Sequence, residues 1–279
     1  MSGKVKYYLP DTIGFVERLE VFGSDITVVN AARVSFHKEV STMTTADKKL
    51  LNYLAKHDHV SPFFHPQIRF RLKMPIFVAR EWFRHTIGLS RNEVSRRYVD
   101  SKAECWIPSP DSIRERDPKL KQGSKSTAVS NSYEVYNKIA KATEFAVKTY
   151  EELLETGVAP EVARTVLPQS MYTEFIETGS LFAYARLCAL RLDPGAQVEI
   201  RRYATLIDKA LSSSFPDSWS ALRAKFAGYA STPAPAPAPA PAPVPAPVVV
   251  SESVGSTTDT YVINHPIIKP GESLYHTSC

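Results

Sequence analysis

Proline stands at every second position from 233 to 247 within "STPAPAPAPAPAPVPAPVVV" (residues 231–250), and no other feature limits the fold of this 279-residue chain so severely. Each proline fixes φ and removes an amide donor, so the run can enter neither a helix nor a central strand. It reads as an extended, semi-rigid arm rising roughly 3 Å per residue. The arm divides the chain into a body at 1–229, the Pro-Ala linker at 230–250, and a tail at 251–279. That tail is too short and too polar to fold alone. Hydrophobic and charged fractions of 43% and 23% are those of an ordinary globular protein, so the body must hold the fold.

The last 49 residues carry one lysine and three acids, which leaves +7 on residues 1–230 against +5 for the whole chain. A field of that size suits anionic substrates without demanding nucleic acid. Cys105, Cys188 and Cys279 are too few and too scattered for a disulfide framework or a thiolate zinc site, and no acid set accompanies His57, His59 and His65, so no metal is expected. The start lacks a signal-peptide apolar region and no run is long enough to cross a bilayer. A cytoplasmic protein that binds no membrane is expected.

Within the body, "TTADKKLLNYLAKHDH" begins on a Thr cap and spaces Leu50, Leu51 and Leu54 on one face, which predicts a helix over about 44–57. "QIRFRLKM" alternates without a fault: Ile68, Phe70, Leu72 and Met74 face one side, Arg69, Arg71 and Lys73 the other. That is the period of a half-buried strand with a cationic outer face. Pro75 suits the first turn of a helix through "IFVAREWFRH". Further helices are predicted over about 131–156, closed by Gly157, then from Pro160 to near Pro168, over about 180–192, and over 196–212. A second strand is expected near 13–22. The fold class is α/β in the α+β sense, a helix-rich mixed domain with a small antiparallel sheet.

The segment "RHTIGLSRNEVSRRYVD" (84–100) packs four arginines among short polar residues without one lysine. Arginine presents a rigid fork that pairs with phosphate through two parallel bonds and stacks on flat rings, whereas lysine is a mobile point charge. The plainer account is a solvated loop in which Glu81 and Glu93 neutralise part of the charge through weak surface pairs. Composition alone leaves both open. Arg69, Arg71 and Lys73 with this segment would also suit a module that tracks a nucleic-acid backbone, but aromatic stacking positions are not interleaved with the cations, which argues against nucleic acid. A scaffold tethered by the arm would explain the tail and not this loop.

Residue order favours recognition of a nucleotide. "FVAREWFRHTIGLSRNEVSRRY" resembles the signature of flavin-dependent thymidylate synthases, in which a helix reading F-V-A-R-Q-W-F-R-H-R leads to N-E-x-S-x-R-Y. "AARVSF", "LAKHDHVSPFFH", "WIPSP", "GVAPEVARTVLPQSMYTEF" and "LRLDPGAQVEIRRYA" resemble family segments in the same order. The resemblance implies a homotetramer with active sites shared between subunits. It also implies a reaction in which methylenetetrahydrofolate gives a methylene group to C5 of dUMP, FAD carries the reducing hydride, and NADPH reduces the flavin.

By position, the resemblance makes Arg191 and Ser95 the catalytic candidates, Arg191 polarising the pyrimidine. Arg97, Arg164, Ser95 and the neighbouring Val94 would hold the nucleotide, with Glu81, Arg84 and Arg96 beside it. Glu93 would sit between nucleotide and flavin. Arg84, His85, Thr86, Ser180, Phe182 and Arg186 would face FAD, joined by His59 and Ser61 from another subunit.

Four departures stand out. Thr86 takes the place of an arginine, the loop before Ser95 is one residue longer, Glu81 replaces a glutamine while Arg96 replaces a glycine, and Ser180, Phe182 and Arg186 replace the usual Asn, Arg and Asn. They cluster on the flavin and phosphate side. A relative that installs another C5 group, such as hydroxymethyl, is the alternative within the same chemistry.

Overall fold

A computed structural model describes residues 4–99, 102–118 and 123–227, all within the compact unit Met1–Ala234. The Pro-Ala linker, the tail and Cys279 lie outside the described residues. In chain order the elements are β1 (Val5–Tyr8), β2 (Phe15–Phe22), α1 (Asp25–Arg33), α2 (Thr45–Lys56), β3 (Gln67–Pro75), α3 (Ile76–Trp82) and β4 (Leu89–Glu93). The short hairpin β5 (Arg114–Arg116) and β6 (Ser124–Ala128) follows. The chain then continues through α4 (Ser132–Glu155), α5 (Pro160–Ala163), β7 (Tyr172–Ser180), α6 (Leu181–Arg191), α7 (Val198–Ser214) and α8 (Pro216–Phe226).

The main sheet has strand order β1-β2-β3-β7-β4 with every pairing antiparallel. β3 lies at its centre because its alternation serves two layers. Ile68, Phe70, Leu72 and Met74 are all 0% exposed beneath the helices, each contributing about 1.5–3 kcal/mol of apolar burial. The opposite face of β3 carries the cations, and its neighbours supply acids. Arg69 pairs with Glu20 at 3.1 Å, Arg71 with Glu174 at 3.3 Å and Glu17 at 3.9 Å, and Lys73 with Glu104. Cross-strand acids thus break up the cationic strip that alone would have suited a phosphate backbone.

α6 is buried along almost its whole length, with Leu181, Tyr184, Ala185, Leu187 and Cys188 each 0% exposed. It packs against α7 and α8 and follows β7 with no intervening loop. The Ser180 hydroxyl accepts from the Ala183 amide and caps its first turn. Thr44 and Asp47 cap α2 reciprocally, each side chain accepting from the other's backbone amide. Asp25 receives the Asp217 and Ser218 amides at 3.2 and 2.8 Å, so the start of α1 caps the start of α8.

Several departures from the sequence reading bear on the site. α3 ends at Trp82, so Arg84 lies beyond the helix rather than above Arg80 on it. The predicted helix from Pro160 is one turn, α5, followed by a 3-10 turn at Arg164–Val166. β7 and β4, both unpredicted, run antiparallel at the sheet's edge, with Arg91 directly opposite Glu177. Gly88, at φ 76°, makes the turn into β4. Among the described residues, no helix is long and apolar enough to cross a membrane.

Candidate active site

Residues from the end of β4 and the turn after α5 meet at an open cleft of about 750 Å³, a size that admits a mononucleotide. Glu93 closes β4, where the Thr173 hydroxyl donates to its carboxylate at 2.5 Å. The Val94 amide donates to the Glu174 carbonyl, and the chain then turns over Ser95. The Ser95 hydroxyl accepts from the Arg97 amide at 3.3 Å, which leaves its own proton for a ligand. Arg96 and Arg164 line the same cleft, joined by Arg71, Lys73 and Lys102. Of these last three, Arg71 and Lys73 are already paired with Glu174 and Glu104, which line the cleft beside them. Arg97 is exposed and pairs with Glu161 at 3.3 Å. Such an exposed pair is weak enough for a phosphate to replace.

A second cleft of about 410 Å³ lies beside α6 and is lined by Arg84, His85, Thr86, Arg186 and Arg191 with apolar Leu190. Its centre is a constellation joining distant parts of the chain. Arg191 Nε donates to His85 Nε2 at 2.9 Å and its Nη2 to the Glu81 carbonyl at 2.9 Å, while Nη1 lies 3.5 Å from the Glu81 carboxylate. A guanidinium held at three points presents its free edge in one orientation. Burial lowers the Arg191 pKa, with the Glu81 carboxylate opposing and Arg84 adding to that effect.

Burial also lowers His85, to about 4, helped by the charges of Arg191, Arg91 and Arg186. The ring is therefore neutral near pH 7, as an acceptor for Arg191 must be. This fixes a pH response. The unfolded ring titrates at 6.5 and the folded one at about 4, so between those values the unfolded state holds more protons and stability falls as pH falls. Urea midpoints from pH 7 to 4.5 should show this loss, and His85→Gln should flatten that part of the profile.

The expected nucleotide and flavin residues thus divide, in one chain, between two clefts. Glu93, Val94, Ser95, Arg96 and Arg164 line the first; Arg84, His85, Thr86, Arg186 and Arg191 line the second. Glu81 serves Arg191 as its anchor. His59 and Ser61 are exposed between α2 and β3 and line neither cleft. Ser180 is engaged as the α6 cap. Phe182 is 8% exposed and packs on Phe64 and Phe226 at ring distances of 5.1 and 5.9 Å. The resemblance expects Phe182 to face FAD; within one chain its ring belongs to the core and lines neither cleft.

The two described cysteines are poor nucleophiles. Cys188 is buried in α6 and Cys105 half-buried beside Met171, and burial pushes both thiols up. Among the described residues, no three His, Cys, Asp or Glu side chains gather in a group suited to hold an ion.

Comparison with known proteins shows which family the chain belongs to. The sequence model of the family described as "Thymidylate synthase complementing protein" matches residues 19–217. A flavin-dependent thymidylate synthase of Thermosipho africanus is 41% identical over 217 residues, covering 77% of this chain and 92% of the relative. One from Thermus thermophilus is 39% identical over 208 residues, 75% of each. Among solved structures, the UMP/dUMP methylase PolB of Streptomyces cacaoi bound with 5-Br dUMP superposes with a TM-score of 0.68 at 30% identity, covering 75% of this chain and 94% of that one. The same methylase bound with 5-Br UMP gives 0.67. The chain therefore belongs to the flavin-dependent thymidylate synthase family and is an enzyme.

Proposed function

We propose that this enzyme methylates C5 of dUMP to give dTMP, taking the one-carbon unit from methylenetetrahydrofolate and its reducing equivalents from NADPH through FAD. The observation that carries the reading is the fixed Arg191 guanidinium, held by His85 and Glu81, in a chain 41% identical to a flavin-dependent thymidylate synthase. Uracil C5 becomes nucleophilic only when negative charge can build on the ring carbonyls, and a preorganised cation lowers that barrier. Arg191 fills this role, and its three anchors avoid the cost of orienting it during the reaction.

Arg164, Ser95 and Arg96 take the phosphate in the larger cleft, where a fork and a free hydroxyl proton match phosphate oxygens. Arg97 joins them on leaving Glu161. Glu93 borders nucleotide and flavin. The second cleft suits FAD in its donor chemistry: Arg84 and Arg186 offer cations to a pyrophosphate, the neutral His85 and Thr86 offer hydrogen bonds, and Leu190 offers apolar contact. When bound, the reduced flavin supplies the hydride that completes the methyl group. The separation of the two clefts within one chain supports a complete site shared between subunits of a homotetramer, with His59 and Ser61 contributed from a neighbour to its flavin side.

Incubating the protein with dUMP, methylenetetrahydrofolate, FAD and NADPH should give a nucleotide heavier by one methylene unit. A product carrying an additional oxygen would make it a hydroxymethylating relative, and unchanged dUMP would count against both. UMP is the second substrate to test, because the structurally similar Streptomyces cacaoi enzyme is described as a UMP/dUMP methylase. Arg164→Ala should raise KM for dUMP by roughly ten- to a hundredfold, as expected from losing about 1.5–3 kcal/mol of charge-assisted hydrogen bonding. Weak binding of deoxyuridine, which lacks the phosphate, should not change.

A further inference from the structure

Arg91 and Glu177 form an ion pair inside the edge of the sheet, and nothing in the chemistry above uses them. The Arg91 Nε donates to Glu177, whose side chain is 0% exposed, and the Arg91 side chain is 13% exposed. The Trp82 indole N–H, 3.2 Å from both Glu177 oxygens, donates to the same carboxylate. Burial pushes the Glu177 carboxyl up, and the Arg91 charge and the hydrogen bonds from Arg91, Trp82 and Tyr184 oppose that rise. A buried pair of this kind is a weak source of stability, because desolvation consumes most of the Coulombic gain. Its presence calls for a positional explanation.

The second arm of Arg91 supplies one. Its Nη2 donates to the His85 carbonyl, and its guanidinium lies over the Phe83 ring at 5.1 Å from the centroid. Phe83 in turn meets Phe175 of β7 edge to face at 4.9 Å. The turn between α3 and β4 is otherwise held by the His85 amide on the Trp82 carbonyl at 3.1 Å, the Leu89 amide on the Thr86 carbonyl at 3.3 Å and, at its far end, the Ser180 amide on the Gly88 carbonyl at 3.2 Å. Arg91 therefore ties the middle of that turn to the sheet, and His85 holds Arg191 from the turn's other side.

We infer that Arg91 is a positioning residue for the reaction: braced on Glu177 and Trp82, it fixes the His85 backbone and, through the His85 ring, the aim of Arg191. This rests on the role given to Arg191 above. A single-point cation cannot do the same, since lysine lacks the fork that reaches carboxylate and carbonyl together.

The test uses the full-length enzyme loaded with flavin and two variants. Arg91→Lys keeps the charge opposite Glu177 but loses the second arm. Arg91→Met with Glu177→Gln removes both charges, retains an acceptor for Trp82, and serves should the lysine variant fold poorly. Both are read by kcat and KM for dUMP and by NMR titration of the His85 ring. A loosened turn should lower kcat by roughly ten- to a hundredfold and leave KM within about threefold, because Ser95 and Arg164 are untouched. The His85 midpoint should rise from about 4 toward 6.5. A midpoint that stays at about 4 in Arg91→Lys, where the charge is kept, overturns the inference whatever the kinetics, and so does an unchanged kcat in both variants. If the unmodified enzyme leaves dUMP unconverted, the proposed function fails, and the His85 midpoint in Arg91→Lys, which keeps the charge that helps lower it, then decides whether Arg91 holds the turn.

Discussion

Arg191→Ala is expected to lower kcat for dUMP methylation by roughly 10²–10³, corresponding to about 2.7–4 kcal/mol for one preorganised electrostatic donor. The size follows from how the side chain is held. Arg191 is half-buried and fixed by the His85 ring and the Glu81 carbonyl, so the protein has oriented its charge before substrate arrives. An interaction realised mainly as charge develops on the pyrimidine lowers kcat and kcat/KM together when it is lost, with little change in KM. Arg191→Lys should recover only part of the rate, because an ammonium cannot bond His85 and Glu81 while offering a free edge. Steady-state kinetics of both variants decide the matter: an alanine enzyme within threefold of the wild-type kcat would falsify the assignment.

The sequence reading reached this constellation one residue at a time and could not assemble it. Arg191 is 106 positions from His85 and 110 from Glu81, and no periodicity links residues so far apart. Only the ordered likeness to family segments put Arg191, Ser95 and Arg164 on one page. The resemblance set Glu81 beside the nucleotide; within one chain it anchors Arg191. The division of the site between two clefts was also illegible, since it depends on where β4 and α6 stand in the sheet and helix layers.

Elements whose local signals agreed with their surroundings were plain. The faultless alternation of β3, the Thr44 cap of α2 and the left-handed Gly157 after α4 each follow from one physical rule. β4 was missed because "LSRNE" lies at a sheet edge, where no apolar face is required. β7 was missed for a sharper reason: "YTEFIETGS" places Glu177 at a buried position where alternation calls for an apolar side chain. The broken pattern in one strand and the unexpected arginine in the other are the same feature, since Arg91 and Glu177 are direct partners in the register.

That pairing sets up the largest expected effect on stability. Arg91→Met should destabilise the protein by about 3–5 kcal/mol near pH 7, because it leaves a carboxylate buried without its cation. The Trp82 N–H and the neighbouring Tyr184 hydroxyl, both neutral donors, would remain to it, against a side chain 0% exposed. Burial already holds the Glu177 carboxyl above its usual range, and the Arg91 charge is the chief restraint on that rise. In the variant the folded-state pKa climbs further, while the unfolded value stays at 4.5. The folded state then binds the proton more tightly, so the deficit shrinks as pH falls through the raised folded value toward 4.5. Adding Glu177→Gln should restore most of the loss at pH 7 and remove this acid recovery, since no buried charge is left to neutralise. Urea unfolding of the single and double variants from pH 8 to 5 measures both effects. A single variant as stable as the wild type, or a deficit independent of pH, would mean that Glu177 finds another partner and that the buried pair does not govern this edge of the sheet.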